Sequence, residues 1–298
     1  MTLMTAHDAH VGARHWTRSV SIAALVLVTS ACATPPGTID PATAASDSAP
    51  IRVLLAGDVD WQALNPARGD QSPRAGTLWG DRHAAVPTGF LAEFVDGFSS
   101  PPHIHNVTYR AVVISGEIHN DDPHAEPMWM PSGSFWTQPG GEAHITAARG
   151  DNNLALVEID RGPYWVKPPL EAFDSGERPI NVDVSNLVWL PLAADPGPDT
   201  SASVAYLWGR QEAGESRGVF LQLPPGFNGV LSAPGDEFHA VVIAGTLGHT
   251  AASGQRLSAG SYFGAAGASV HDLTAGTDQA VVIYIRSNDQ FQLSARQP

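Results

Sequence analysis

Apolar positions along this chain come in short runs rather than in helical stripes. Residues 111–114 and 240–243 both read Ala-Val-Val-Ile. Residues 89–94, 154–159, 218–223 and 280–285 are apolar runs of similar length, bounded by Gly, Pro, Asn or Asp. After residue 50 no 3.6-residue period persists long enough for an ordinary amphipathic helix. The expected fold class is therefore all-β, with strands closed into barrels or jelly rolls. The 29 Gly and 24 Pro of the 298 residues fit such a turn-rich chain.

The runs repeat at a fixed offset. Leu78-Trp79-Gly80 matches Leu207-Trp208-Gly209, Gly89 matches Gly218, and Gly97-Phe98 matches Gly226-Phe227. Ala111–Ile114 matches Ala240–Ile243, and Gly116 matches Gly245, each pair 129 residues apart. The offset then shortens to 127, where Gly133-Ser134 matches Gly260-Ser261 and His144 matches His271. A period this long exceeds a solenoid unit and reads as a duplicated domain. The expected halves are 51–170 and 178–298.

The N-terminal segment has a different character. Arg14, His15 and Arg18 precede an apolar run over 20–28, too short for a standard transmembrane helix, which ends in Thr29-Ser30-Ala31-Cys32. This resembles a bacterial lipoprotein signal, although Thr29 stands where Leu is more usual. The resemblance implies that residues 1–31 are a signal peptide and that Cys32 is lipidated as the first mature residue. The competing reading is an ordinary secretory signal with a coincidental cysteine. Residues 32–50, rich in Ala, Thr, Pro, Ser and Asp, read as a flexible tether. The expectation is an exported protein that touches the membrane only through its lipid anchor. Ala33 lacks the usual retention aspartate, so a Gram-negative host would place it on the periplasmic side of the outer membrane. Cys32 is the single cysteine, which excludes an intrachain disulfide.

Composition narrows the function by exclusion. Charged residues make up 15% and the net charge is −14, a globular composition with no basic patch, so nucleic acid is not an expected partner. Gly-rich phosphate loops, nucleophile elbows and Cys-His pairs are absent. What remains is a histidine constellation. The first half reads Gly97-x5-His103-x-His105-x3-Tyr109-x6-Gly116, then Gly133-x5-Pro139-x-Gly141-x2-His144. In a strand, residues i and i+2 share a face, so His103 and His105 are expected to project together into a barrel, with Tyr109 on the same face if no bulge intervenes. Three imidazoles suit Fe, Zn, Ni or Cu better than Ca or Mg. Three protein ligands also leave a divalent ion room for water or a small molecule. The plainer reading is isolated loop histidines.

The two segments resemble the paired motifs of the cupin superfamily, G-x5-HxH-x3,4-E-x6-G and G-x5-PxG-x2-H-x3-N. The whole repeat resembles two-cupin proteins of the domain-of-unknown-function 4437 family. The resemblance implies two tandem cupin-type jelly-roll barrels and a metal site in the first, and it gives no activity. Tyr109 stands where the superfamily usually has a glutamate ligand, and Ala148 where it has asparagine. Tyr109 reads either as a catalytic phenol, bonded to substrate or bound to the metal, or as a half-buried barrel aromatic. In the second half the counterparts of His103, His105 and Tyr109 are Ser232, Pro234 and Phe238; only His271 survives, so this half is expected to hold no metal. The run His119–His124 is expected to be a solvated loop over the barrel mouth, and His83, His239 and His249 lack a partner pattern. Trp129 and Trp136 read as pocket lining or as packing.

The expected function is metal-dependent action on a small organic molecule, anionic if Tyr109 leaves the metal charge uncompensated. Dioxygenase or isomerase/cyclase chemistry would fit. The alternatives are a metal-dependent binding or sensing module and a structural lipoprotein. The reading leaves room for a homo-oligomer.

Overall fold

The apolar runs all become strands in the computed structural model, which describes residues 48–192 and 202–296. Cys32, the signal segment and most of the tether lie outside those residues. The described residues contain no α-helix, only five short 3-10 turns, and no helix among them is long and apolar enough to cross a membrane.

One seven-stranded sheet belongs mainly to the first half. Its order is Ile180–Val182, Phe135–Gln138, Tyr109–Asp121, Ile145–Ile159, Thr88–Phe94, Arg74–Trp79 and Trp61–Ala63. A second belongs mainly to the second half, in the order Arg52–Leu54, Tyr262–Ala265, Phe238–Ala244, Val281–Ser287, Arg217–Leu223, Ser203–Gly209 and Leu190–Pro191. A five-stranded sheet built on Ser269–Ala275 and Asn228–Ala233 faces it across the second-half core. All pairings are antiparallel. Two pairings run between the sequence halves. Arg52–Leu54 pairs with Tyr262–Gly264, and Ile180–Val182 pairs with Phe135–Thr137.

The Ala-Val-Val-Ile runs are apolar throughout because each is buried on both faces. Ala111 and Val113 point into the first-half core with Phe90, Trp136 and Val157. Ala240 and Val242 point into the second-half core with Phe238 and Phe263. The intervening Val112, Ile114, Val241 and Ile243 meet in a third core between the two large sheets. The described residues accordingly form one compact unit.

The repeat also shapes that central contact. Trp79 lies over Gly89 and Trp208 over Gly218, where any β-carbon would collide with the indole. Trp79 then stacks on His239 at 4.6 Å between ring centroids, while Arg110, the counterpart of His239, sits 3.9 Å over Trp208. Such reciprocal contacts are the pattern of a two-fold interface. Arg286, buried beside them, bonds Asp160 and Glu237 at 2.8 Å each and lies 3.5 Å from Glu158. Burial pushes the Glu158 carboxyl up despite the pull of Arg286 and Arg110.

One expectation fails here. The segment starting at His119 is not a loop up to Asp121, since the strand Tyr109–Asp121 runs through it and His119 and Asn120 are buried. Register shifts between Val113 and Glu117 break the regular alternation of the strand, and His119 and Asn120 beyond them are buried.

Candidate metal centre

His103 and His144 are joined by their own backbones. Each donates its amide to the other's carbonyl, at 3.0 and 2.9 Å, in an isolated antiparallel bridge. His105 lies in the two-residue strand Ile104–His105, paired with Val166–Lys167. The Pro139-Gly140-Gly141 turn is anchored to it, the Gly141 amide donating to the His105 carbonyl at 2.8 Å. Gly141 needs its glycine, because φ is +83° and a β-carbon would strike the Phe173 carbonyl. The expected single strand is therefore broken. Residues 106–108 separate the histidines from Tyr109, which opens the next strand.

All three imidazoles nevertheless converge. One nitrogen from each lies within 4.8 Å of the others, so the cluster could hold a metal ion. The opposite nitrogens explain which lone pairs are free. His103 Nδ1 donates to the Pro101 carbonyl at 2.9 Å, and His144 Nδ1 to the Glu142 carbonyl at 3.2 Å. Carbonyls only accept, so both rings carry their proton on Nδ1 and leave Nε2 unprotonated. His105 is buried, and its Nδ1 finds no hydrogen-bond partner among the described residues. The Trp165 carbonyl nevertheless acts on this ring, raising its pKa against the larger effect of burial. Burial is the main reason the rings stay neutral. It carries His144 down to about 3, helped by His103, and His105 well below its usual value.

Tyr109 is buried against this cluster, its ring 5.1 Å edge-on from that of His105. Its hydroxyl donates to Asn120 Oδ1 at 2.8 Å and lies 3.4 Å from His144 Nε2. Asn120 Oδ1 also accepts from Thr146 Oγ1 at 2.8 Å, and its amide donates to Gln138 at 2.9 Å. Burial pushes the Tyr109 phenol up to about 12.

Two further residues belong here that no spacing indicated. Tyr164 stacks on His105 at 4.3 Å and places its hydroxyl 3.1 Å from His105 Nε2. Asn120, from the run expected to be a loop, orients Tyr109. His119 faces Trp129 and accepts from the Met128 amide at 3.3 Å. Trp136 lines the cavity, while Trp129 packs under Arg149. His103 and His105 line a cavity of about 520 Å³ whose walls include Phe90, Phe94, Phe98, Trp136 and Val157.

The second half is rebuilt at the same positions. His249 stands at the offset of Asn120, and its Nε2 lies 3.0 Å from His271 Nδ1. His249 Nδ1 accepts from the Ala251 amide, so Nε2 carries the proton and donates to His271, whose Nε2 in turn faces Ser269 Oγ at 3.0 Å. Phe238, in place of Tyr109, stacks on His271 at 4.6 Å. His271 therefore has an imidazole neighbour, contrary to the expectation of a lone histidine. Every nitrogen of the pair is satisfied without an ion. His239 likewise has partners, Trp79 and the Tyr262 hydroxyl.

Comparison with known proteins places this architecture. The model of a family described as domain of unknown function DUF4437 matches residues 52–294. No curated protein matches the sequence. Among solved structures, a candidate dioxygenase from Nostoc punctiforme aligns with a TM-score of 0.61 at 15% identity, covering 83% of this chain and 87% of that one. Protein YlbA from E. coli, of family model DUF861, aligns at 0.54 and 12% identity over 84% and 98% of the two chains. Salicylate 1,2-dioxygenase from Pseudoaminobacter salicylatoxidans aligns at 0.52 and 14% identity over 82% and 85%. At these identities the likeness shows the fold, an all-β cupin fold.

Proposed function

The chain belongs to the DUF4437 family, and from that premise we propose that His103, His105 and His144 hold one divalent transition metal, Fe, Zn, Ni or Cu, which acts on a small organic molecule in the adjoining cavity. The observation that supports this most is the tautomer pattern. The Nδ1 atoms of His103 and His144 lie against backbone carbonyls, which favours the tautomer with Nε2 free to ligate, and one nitrogen of each of the three rings lies within 4.8 Å of the others. Bound there, the ion would supply Lewis acidity or, as iron, oxygen chemistry.

The chain's own residues define the rest. Burial keeps the three imidazoles neutral and ready to ligate. Tyr109 keeps its proton and spends it on Asn120, so its oxygen is left as an acceptor beside the site. Tyr164 offers a second neutral hydroxyl next to His105, which can donate to a ligand. The aromatic walls exclude water around a small molecule. Export and lipid anchoring at Cys32 form part of the same reading, supported by the small-residue run before that cysteine.

Elemental analysis of the purified protein tests the metal. One ion per chain is expected, abolished by His103→Ala or His144→Ala; two tightly bound ions, or binding that survives both substitutions, would refute it. Oxygen uptake or substrate loss with the iron-loaded protein separates an enzyme from a binding module.

A further inference from the structure

The wall of the cavity also carries a cation. Arg82 is only 7% exposed and lines the cavity beside Phe90, over whose ring its guanidinium sits at 5.5 Å. Nε donates to Thr77 Oγ1 at 3.3 Å and Nη2 to Gln62 Oε1 at 3.0 Å, both neutral acceptors. Nη1 is neither hydrogen-bonded nor sealed from solvent among the described residues. No carboxylate of the described residues lies within ion-pairing distance of Arg82. Its neighbour Asp81 instead accepts the His83 amide at 2.8 Å. Burial opposes its charge, and Asp81 offsets this only from beyond contact distance; a half-buried guanidinium with no contacting carboxylate is better satisfied when an anion completes it. A second guanidinium, that of Arg68, lies 4.8 Å over Phe98 on the same cavity, again without a carboxylate partner among the described residues.

Between Arg82 and the histidines the wall is aromatic. Phe90 meets Tyr164 at 5.4 Å, and Tyr164 stacks on His105 at 4.3 Å. A ligand reaching from the three histidines to Arg82 therefore passes two rings. Its body must be apolar and flat or compact, and the group meeting Arg82 must be an anion that can take a forked donor.

We propose that Arg82 anchors the carboxylate of the substrate, and that the substrate class is an organic acid with an aromatic or similarly apolar body. This rests on the reading that the histidine cluster and its cavity form the working site, and it names what enters.

Calorimetric titration of the full-length chain, zinc-loaded and metal-free, with benzoate, phenylacetate and 3-phenylpropionate and with their three neutral amides tests it. The expected result is at least tenfold tighter binding of one acid than of its amide. In Arg82→Gln that ratio should collapse to within about twofold, with Arg82→Lys in between. Circular dichroism and zinc content establish that each variant is folded. A merely structural Arg82 would lower stability without changing the acid-to-amide ratio, and that outcome overturns the proposal. So does equal binding of acid and amide by the unsubstituted protein, which needs no variant to fold. Zinc content keeps the two readings apart. Zinc binding without acid preference refutes the role of Arg82 alone, whereas an acid preference that the metal-free protein retains and Arg82→Gln abolishes upholds Arg82 even if elemental analysis finds no ion at the histidines.

Discussion

Replacing Tyr109 by Phe removes one oxygen from a buried ring and leaves the ring's packing against His105 and Trp136 intact. The bond lost is the hydroxyl's donation to Asn120 Oδ1 at 2.8 Å. Asn120 Oδ1 keeps its second donor, Thr146, so no buried acceptor is orphaned and the loss should be about 1 kcal/mol. In a unit of this size that lowers Tm by about 2–4 °C. The metal argument has a larger magnitude behind it. With the phenol pushed up to about 12, ionising it at pH 7 runs five pH units uphill, about 7 kcal/mol. A metal–phenolate bond would have to recover that while three neutral imidazoles are already available. Expected for Tyr109→Phe is therefore normal metal content by elemental analysis. Affinity by chelator competition should stay within about threefold, equivalent to less than about 1 kcal/mol, with the damage confined to ligand binding or turnover. A tenfold or greater loss of metal affinity would refute the reasoning. So would a phenolate charge-transfer band in the iron(III) or copper(II) protein that disappears in the variant.

Arg286→Met leaves Glu158 and Glu237 without their buried partner and should destabilise the protein by about 3–5 kcal/mol in urea unfolding; a loss under about 1 kcal/mol would contradict the role given to this ion network. Burial lowers His239 and His249 to about 4 and His271 to about 3. Folded values below the unfolded one, near 6.5, mean that these groups contribute fully above about pH 6.5 and lose that contribution as pH falls toward 4. Urea midpoints should thus drop between pH 7 and pH 4, and His249→Gln with His271→Gln should flatten the profile; an unchanged slope in the double variant would count against it. Cys32→Ser should release the protein from membranes on fractionation, and equal, soluble behaviour of both forms would end the lipidation reading.

The histidine ligand candidates were legible because their neighbours in the fold are also fixed by local sequence. The Pro139-Gly140-Gly141 turn is a local device with a recognisable spacing, and the long-range His103–His144 bridge joins two segments that each carry such a spacing. Tyr164 was not, since it reaches His105 from a segment 59 residues on and stacking leaves no periodic trace. The run from His119 looked like a loop because Asn and Asp usually sit in turns. Tertiary context overrode that, turning Asn120 inward as the partner of Tyr109. His249 was missed for a related reason. The change lies not at a ligand position but at that of a ligand's neighbour, where His249 takes the place of Asn120, so the histidine motif gives no sign of it. Arg82 stands in no motif at all, and only the cavity gives it meaning.

The strand Arg52–Leu54 is stitched into the sheet of the opposite half, and Ile180–Val182 returns the favour. Any attempt to express either half alone would cut one of these stitches and bare the backbone of a sheet edge, inviting strand addition by neighbouring molecules. An intact fold thus needs both Arg52–Leu54 and Ile180–Val182 with the sheets they join, although every histidine of the site lies between 103 and 144. Random mutagenesis scored for lost metal binding should therefore return hits in the second half as well as the first. The second half would then act as the clamp that keeps the first in shape.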